Sequence, residues 1–155
     1  MQQPQNPRIK MSTLKSIAIK TTPRAAMQQQ GKAEVTIDKG ITGDFRGSQP
    51  DRQITILSES AWQKACNSVN ADLPWITRRA NLLVGGLEFS AEDVGKTVRI
   101  GEATLKITQE TKPCSLMDQL HQGLRNALTP DWRGGVCCKV VGAGSIQEGD
   151  RVEID

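Results

Sequence analysis

What most constrains this chain is its punctuation: runs of apolar and β-branched residues last only four to nine positions before glycine or proline stops them. Leu14 to Thr22 alternates around Ile17 and Ile19. Ala33–Ile37, Gln53–Leu57, Asn81–Val84, Thr97–Ile100, Ala103–Thr108, Val136–Val141 and Arg151–Ile154 follow, bracketed by Gly or Pro. Such segments are too short for helices and suit strands. A strand-rich domain must hide its sheet edges, so the pattern predicts a mainly β protein, a closed or nearly closed β-barrel with a few short helices. Two helical regions interrupt it. Ser58 is a suitable N-cap for a helix running to about Val69, with Ala61, Ala65, Cys66 and Val69 on one stripe, and Pro74 marks its exit. Between Cys114 and Leu128, the residues Leu116, Leu120, Leu124 and Leu128 recur at helical spacing, and Gly123 is expected to split this region into two short helices.

At 155 residues one domain is the default. Residues 14–155 are read as that domain, and the Gln/Pro-rich, hydrophilic residues 1–13 as a disordered extension. No apolar run approaches the roughly 20 residues a spanning helix needs, so no membrane is expected. Six basic residues and no acidic one precede Glu34, which raises a transit peptide as an alternative, but the hydrophilic start favours the extension. No signal-peptide apolar region is present, which points to a cytoplasmic protein. With 20 basic and 17 acidic residues, a net charge of +3 gives no case for nucleic-acid binding. The cysteines are Cys66, Cys114, Cys137 and Cys138, and His121 is the single histidine. These match no zinc spacing, so zinc is not expected. Cys137 and Cys138 are adjacent on a strand and should face opposite ways, which suits reduced thiols.

Three features could carry chemistry. In Lys112-Pro113-Cys114-Ser115 a thiol sits where a strand gives way to a helix, beside a cation. A helix N-terminus and a lysine both favour thiolate, hence a nucleophile or a soft-metal ligand. The competing reading is a small buried hydrophobe. Next come arginines in glycine-rich or turn contexts: Arg46, Arg52, the Arg78-Arg79 pair and Arg133. Planar guanidinium forks in such loops suit phosphate, though each alone could be a solvated charge or a partner of Asp44, Asp51 or Asp131. His121 is a weaker candidate as a general base, and Trp132 could line a ligand pocket or pack in the core. Gly149-Asp150 reads as the turn that registers a final hairpin. Phosphate-loop, dinucleotide-fold and metalloprotease signatures are absent.

Taken in order, several pieces resemble the MOSC family, named for the C-terminal region of molybdenum cofactor sulfurases. They are GITGD from Gly40 to Asp44, RQITIL from Arg52 to Leu57, RRANLLVGG from Arg78 to Gly86 and IGEATLKIT from Ile100 to Thr108. PCSLMD from Pro113 to Asp118, RGGV from Arg133 to Val136 and GSIQEGDRVEI from Gly144 to Ile154 complete the set. The resemblance is greatest to short, stand-alone bacterial members. It implies a MOSC-type β-barrel with Cys114 in a pocket for the molybdenum cofactor. Some members are held to pass sulfur from a cysteine persulfide, others to ligate molybdenum through this cysteine and reduce N-hydroxylated substrates. The family is also associated with pyridoxal phosphate binding. By resemblance Arg79 and Asn81, of the Arg-x-Asn element, contact the cofactor. Asp44, Arg46, Arg52, Arg78, Lys112, Arg133 and Gly135 are taken as further cofactor contacts. The implied partners are a cysteine desulfurase or a reductase that donates electrons. Two departures stand out: Phe45-Arg46 occupies the stretch where many members carry a histidine, and the N-terminal β-barrel domain of the larger reductases has no counterpart. A degenerate anion-binding module is the remaining alternative.

Overall fold

The computed structural model describes residues 11–155, so most of the expected N-terminal extension lies outside the described residues. Strand β1, Thr13–Ile19, begins one residue earlier than expected, and Ser12 already bonds to the sheet through Gly86 and Val152. Leu14, Ile17 and Ile19 fill its inward positions. Then come β2 (Gln28–Gln30), β3 (Lys32–Thr36), β4 (Gly40–Ile41) and β5 (Ile54–Ser58). Helix α1 (Glu59–Ser68) starts as its sequence dictates, with the Ser58 hydroxyl accepting the Ala61 N–H at 3.2 Å. It carries the chain over to β6 (Leu82–Gly85), which lies parallel to β5, a pairing that requires such a crossover. The remainder is β7 (Thr97–Ile100), β8 (Ala103–Glu110), α2 (Leu116–Leu120), α3 (Leu124–Leu128), β9 (Val136–Gly142), β10 (Gly144–Gln147) and β11 (Val152–Ile154).

Mainly β with a few helices holds, whereas the closed barrel does not. The strands form an open eight-stranded sheet, in the order β11-β7-β8-β9-β5-β6-β1-β2, and a three-stranded sheet, β10-β3-β4. Near the open seam, Leu14 N–H donates to Asp150 O, Gly149 N–H to Leu14 O and Val152 N–H to Ser12 O. Thr13 and Arg151 form a single bridge there, but no ladder crosses. β2 and β11 are only three residues long, which is how the sheet limits its free edges. The expected terminal hairpin is also corrected. β10 pairs with β3 and β11 with β7, so Gly149-Asp150 is a crossing between two sheets.

One core lies between the sheets. It joins Leu14, Ile17, Ile56, Val84, Leu105, Ile107 and Cys138 of the large sheet to Val35, Ile41 and Ile146 of the small one. A second core covers the other face of β5 and β6. There Leu57 and Leu83 meet Trp62 and Ala65 of α1, Met117 of α2, and Leu124 and Leu128 of α3. Each fully buried leucine contributes about 1.5–3 kcal/mol. Leu116 and Leu120 do not join it. Gly123, at φ +87°, restarts the helix in a new phase, so α2 buries Met117 and leaves both leucines on the surface. Cys137 and Cys138 part to opposite faces, with Cys138 in the main core and Cys137 Sγ against Thr111 Oγ1 at 3.2 Å. Burial, then the neighbouring Cys137, pushes the Cys138 thiol far up, making it inert.

Candidate functional site

The turn after β8, the helical turn Trp75–Arg78 after Pro74, and the loop between β4 and β5 converge on one cavity of about 290 Å³. Its lining includes Cys114, Arg46, Arg52, Arg78, Arg79 and Lys112, with Thr55, Thr111 and Gly134, and no carboxylate. None of those five cations forms an ion pair with a carboxylate of the described residues. Cys114 is exposed. The structure therefore brings together the thiol and most of the arginines that the sequence singled out.

Local backbone geometry sets these positions. Arg79 takes φ +69°, a left-handed conformation that ends the helical turn, and both Arg78 and Arg79 line the cavity. Arg78 is 8% exposed, and its Nη2 donates to Thr111 O at 2.9 Å. Its Nε is buried and has no hydrogen-bond partner among the described residues. Burial lowers the affinity of this guanidinium for its proton. Cys114 and Cys137 oppose that effect, whereas Arg52 and Arg46 reinforce it. The side chain stays a cation nonetheless. Gly134 makes this close packing possible, because a Cβ there would fall 2.4 Å from Thr111 O and 3.1 Å from Arg78 Nη2.

Other expected site residues serve the frame around the cavity. Asn81 is buried, its Oδ1 accepting from the N–H and hydroxyl of Thr55 while its Nδ2 donates to Ala18 O at 3.2 Å. It ties β1 to β5 and does not line the Cys114 cavity. Arg133 Nη1 donates to Ala127 O at 3.1 Å, outside the cavity. Gly135 adopts φ +100°, and a Cβ on it would lie 2.3 Å from Ile56 O, so its role is close strand approach. Asp44 spends both oxygens on backbone, accepting from the N–H groups of Lys20 and Arg46. His121 pairs its Nε2 with Val69 O at 2.8 Å and does not line the Cys114 cavity, and Trp132 packs on the main core. Cys114 does precede the short helix α2, whose first turn bonds back to it through Met117 N–H and Cys114 O, and guanidinium groups line the same cavity.

Sequence reasoning missed Lys20, which is 4% exposed at the end of β1. It lines a small pocket with Asp44, Phe45, Arg46, Arg79 and Asn81. A lysine that continues the apolar run Ile17-Ala18-Ile19 was the available signal. Larger clefts lie elsewhere. One of about 570 Å³ carries Glu34, Glu102 and Asp150, each already accepting a bond from Ser145 or Gln147, and a groove of about 1130 Å³ follows residues 151–155. Neither combines a thiol with unpaired cations.

Comparison with known proteins agrees with this architecture. The YUAD protein from Bacillus subtilis superposes with a TM-score of 0.77 at 19% identity, over 94% of this chain and 97% of that one. YiiM from Escherichia coli gives 0.69 at 17%, over 92% of this chain and 69% of that one. YiiM from Geobacillus stearothermophilus gives 0.71 at 17%, over 93% and 75%. At these identities the likeness is one of fold. No curated protein sequence matches the chain. The MOSC domain model, however, matches residues 42–153, which include every element of the Cys114 cavity, and the chain belongs to the MOSC domain family.

Proposed function

We propose that the chain binds the molybdenum cofactor in the Cys114 cavity, with the Cys114 sulfur as molybdenum ligand and the arginines holding the anionic remainder. The observation that carries this reading is an exposed thiol among five cations that have no carboxylate partner among the described residues. The residues suit the group on two further counts. The orphaned Nε of Arg78 is a donor waiting for an acceptor, and thiolate is a soft ligand able to bind a transition metal. Arg46, Arg52, Arg78, Arg79 and Lys112 would hold the phosphorylated pterin, the forks of arginine matching phosphate oxygens. Gly134 allows Arg78 to pack closely in the cavity wall. Bound there, the cofactor supplies two-electron redox chemistry, and N-hydroxylated bases are the substrate class implied by the family. The protein's own residues orient the group, neutralise its charge and leave Cys114 accessible from outside. A reduced, cytoplasmic setting goes with four free thiols.

The exposure of Cys114 favours a second reading, in which its thiolate accepts sulfane sulfur from a cysteine desulfurase and carries it as a persulfide. One experiment separates the readings. Protein from a host that makes the cofactor is assayed for molybdenum and pterin beside Cys114→Ser. The first reading expects near-stoichiometric metal in the wild type and at least a tenfold loss in the variant. Wild type without metal, yet gaining one sulfur on Cys114 after incubation with a desulfurase, selects the carrier. Protein that does neither but still binds phosphate is an anion-binding module, and both readings are then wrong.

A further inference from the structure

Two of the three tryptophans border a space that the Cys114 site does not use. Trp62 of α1 and Trp75, which opens the helical turn Trp75–Arg78, line a cleft of about 380 Å³ with Glu59, Asp72, Cys66 and Leu73. It shares no lining residue with the Cys114 cavity, although the turn that ends at Arg78 there begins at Trp75 here. Its size falls within the range of about 300–1,000 Å³ usual for small-ligand sites. Trp62 is fixed from one edge, its Nε1–H donating to Leu73 O at 3.2 Å, and Trp75 packs beside it against the second core. Among the described residues neither indole has a cation against it; the cations that sit over a ring, Lys20 and Arg46, sit over Phe45. The charge around the two indoles is one-sided. Among the described residues no basic side chain lines the cleft, and neither the Glu59 nor the Asp72 carboxylate forms an ion pair or accepts a hydrogen bond. Lys64, the one basic residue of α1, is committed to Glu88 at 2.9 Å. Burial pushes the Cys66 thiol up, and Asp72 adds to that push against a backbone bond at Leu73, so this group stays neutral.

We infer that this cleft binds a small organic cation, an alkylated ammonium compound, between the indoles of Trp62 and Trp75 and the carboxylates of Glu59 and Asp72. The ligand class follows by elimination. A bare metal ion needs oxygen, nitrogen or sulfur ligands converging at about 2.0–2.6 Å, and the described residues hold no group of three or more His, Cys, Asp or Glu so placed. An anion is repelled by the two carboxylates, and a neutral apolar ligand gains nothing from them. An alkylated ammonium needs only aromatic surface and nearby negative charge, and indole is the ring that attracts it most. The site is separate from the proposed cofactor cavity and stands or falls without it.

The test titrates the full chain with choline and with its uncharged carbon isostere, followed by calorimetry and by indole fluorescence, in wild type, Trp75→Leu and Asp72→Asn. The wild type is expected to bind choline with a change in fluorescence, and to bind the isostere at least about tenfold more weakly. Trp75→Leu should weaken choline binding at least about fivefold and remove most of the fluorescence change, and Asp72→Asn should weaken it by about threefold or more. Thermal melting shows that each variant is folded. Asp72 is exposed, so Asp72→Asn decides the matter even where Trp75→Leu does not fold. No binding of choline by the wild type, equal affinity for choline and the isostere, or an affinity that folded Trp75→Leu or Asp72→Asn leaves unchanged overturns the site.

Discussion

At Arg78 a single side chain meets two opposed demands. Its one bond to Thr111 O holds the turn before Cys114, while its Nε lies buried with nothing to receive it. Losing that bond costs about 1 kcal/mol, and removing an orphaned donor with a desolvated charge returns a comparable amount. Arg78→Met should therefore shift stability by no more than about 1 kcal/mol in urea unfolding, yet weaken pyrophosphate binding at least fivefold. A large stability loss with unchanged binding would make Arg78 a strut and not a ligand. Asn81→Ala is expected to behave in the opposite way. It strands the buried Thr55 N–H and Ala18 O, at about 1–3 kcal/mol per group, so the urea midpoint should fall sharply. Residual folded Asn81→Ala that binds anions normally would confirm a structural clasp. The contrast shows which site residues a sequence discloses. Cys114 and its arginines stand in turns whose chemistry is local, so motif and composition find them. Lys20 gives only the faint signal of a lysine at the end of an apolar run, because its burial beside Asp44 is decided by tertiary packing.

Strand ends and turns show the same division between local and distant causes. Ser58 as N-cap, the break at Gly123 and the strands flanking β8 were legible because each depends on a few neighbouring residues. β2, β4 and β10 were not, being two to four residues long and defined by partners such as Val35 for Gly144. The leucine spacing locates the helices but not their buried faces: the left-handed Gly123 resets the phase between them, leaving Leu116 and Leu120 outside. The closed barrel was an inference from hidden edges, whereas this chain shortens its edge strands and leaves the sheet open. Gly135 tests how tightly β5 and β9 are drawn together. Alanine there meets Ile56 O and must hold φ near +100°, so Gly135→Ala should cost at least about 3 kcal/mol. Soluble Gly135→Ala with a wild-type melting temperature would mean that the turn before β9 relaxes freely, and the assigned role would be wrong.

Over the whole molecule a net charge of only +3 conceals a local concentration of cations, since Lys20, Arg46, Arg52, Arg78, Arg79 and Lys112 line two neighbouring pockets in which Asp44 is the one lining carboxylate among the described residues. Folding without a ligand must hold these charges together, and Lys20 records the strain. Burial first, then Arg79 and Arg46, lower its proton affinity below the ordinary value of 10.5, with Asp44 opposing. Between the folded value and 10.5 the unfolded chain binds more protons than the folded one, so stability of the ligand-free protein rises with pH across that window. An anion beside Lys20 favours the charged form, so binding takes up a proton there and affinity falls as pH rises. Sulfate is the suitable probe, because its own charge is constant over the range. Melting curves should show stabilisation by sulfate that shrinks as pH climbs toward 10, together with an alkaline gain in ligand-free stability that Lys20→Met removes. If sulfate stabilises wild type and Lys20→Met equally at every pH, the cations do not act as one site, and their proximity is a matter of surface charge alone.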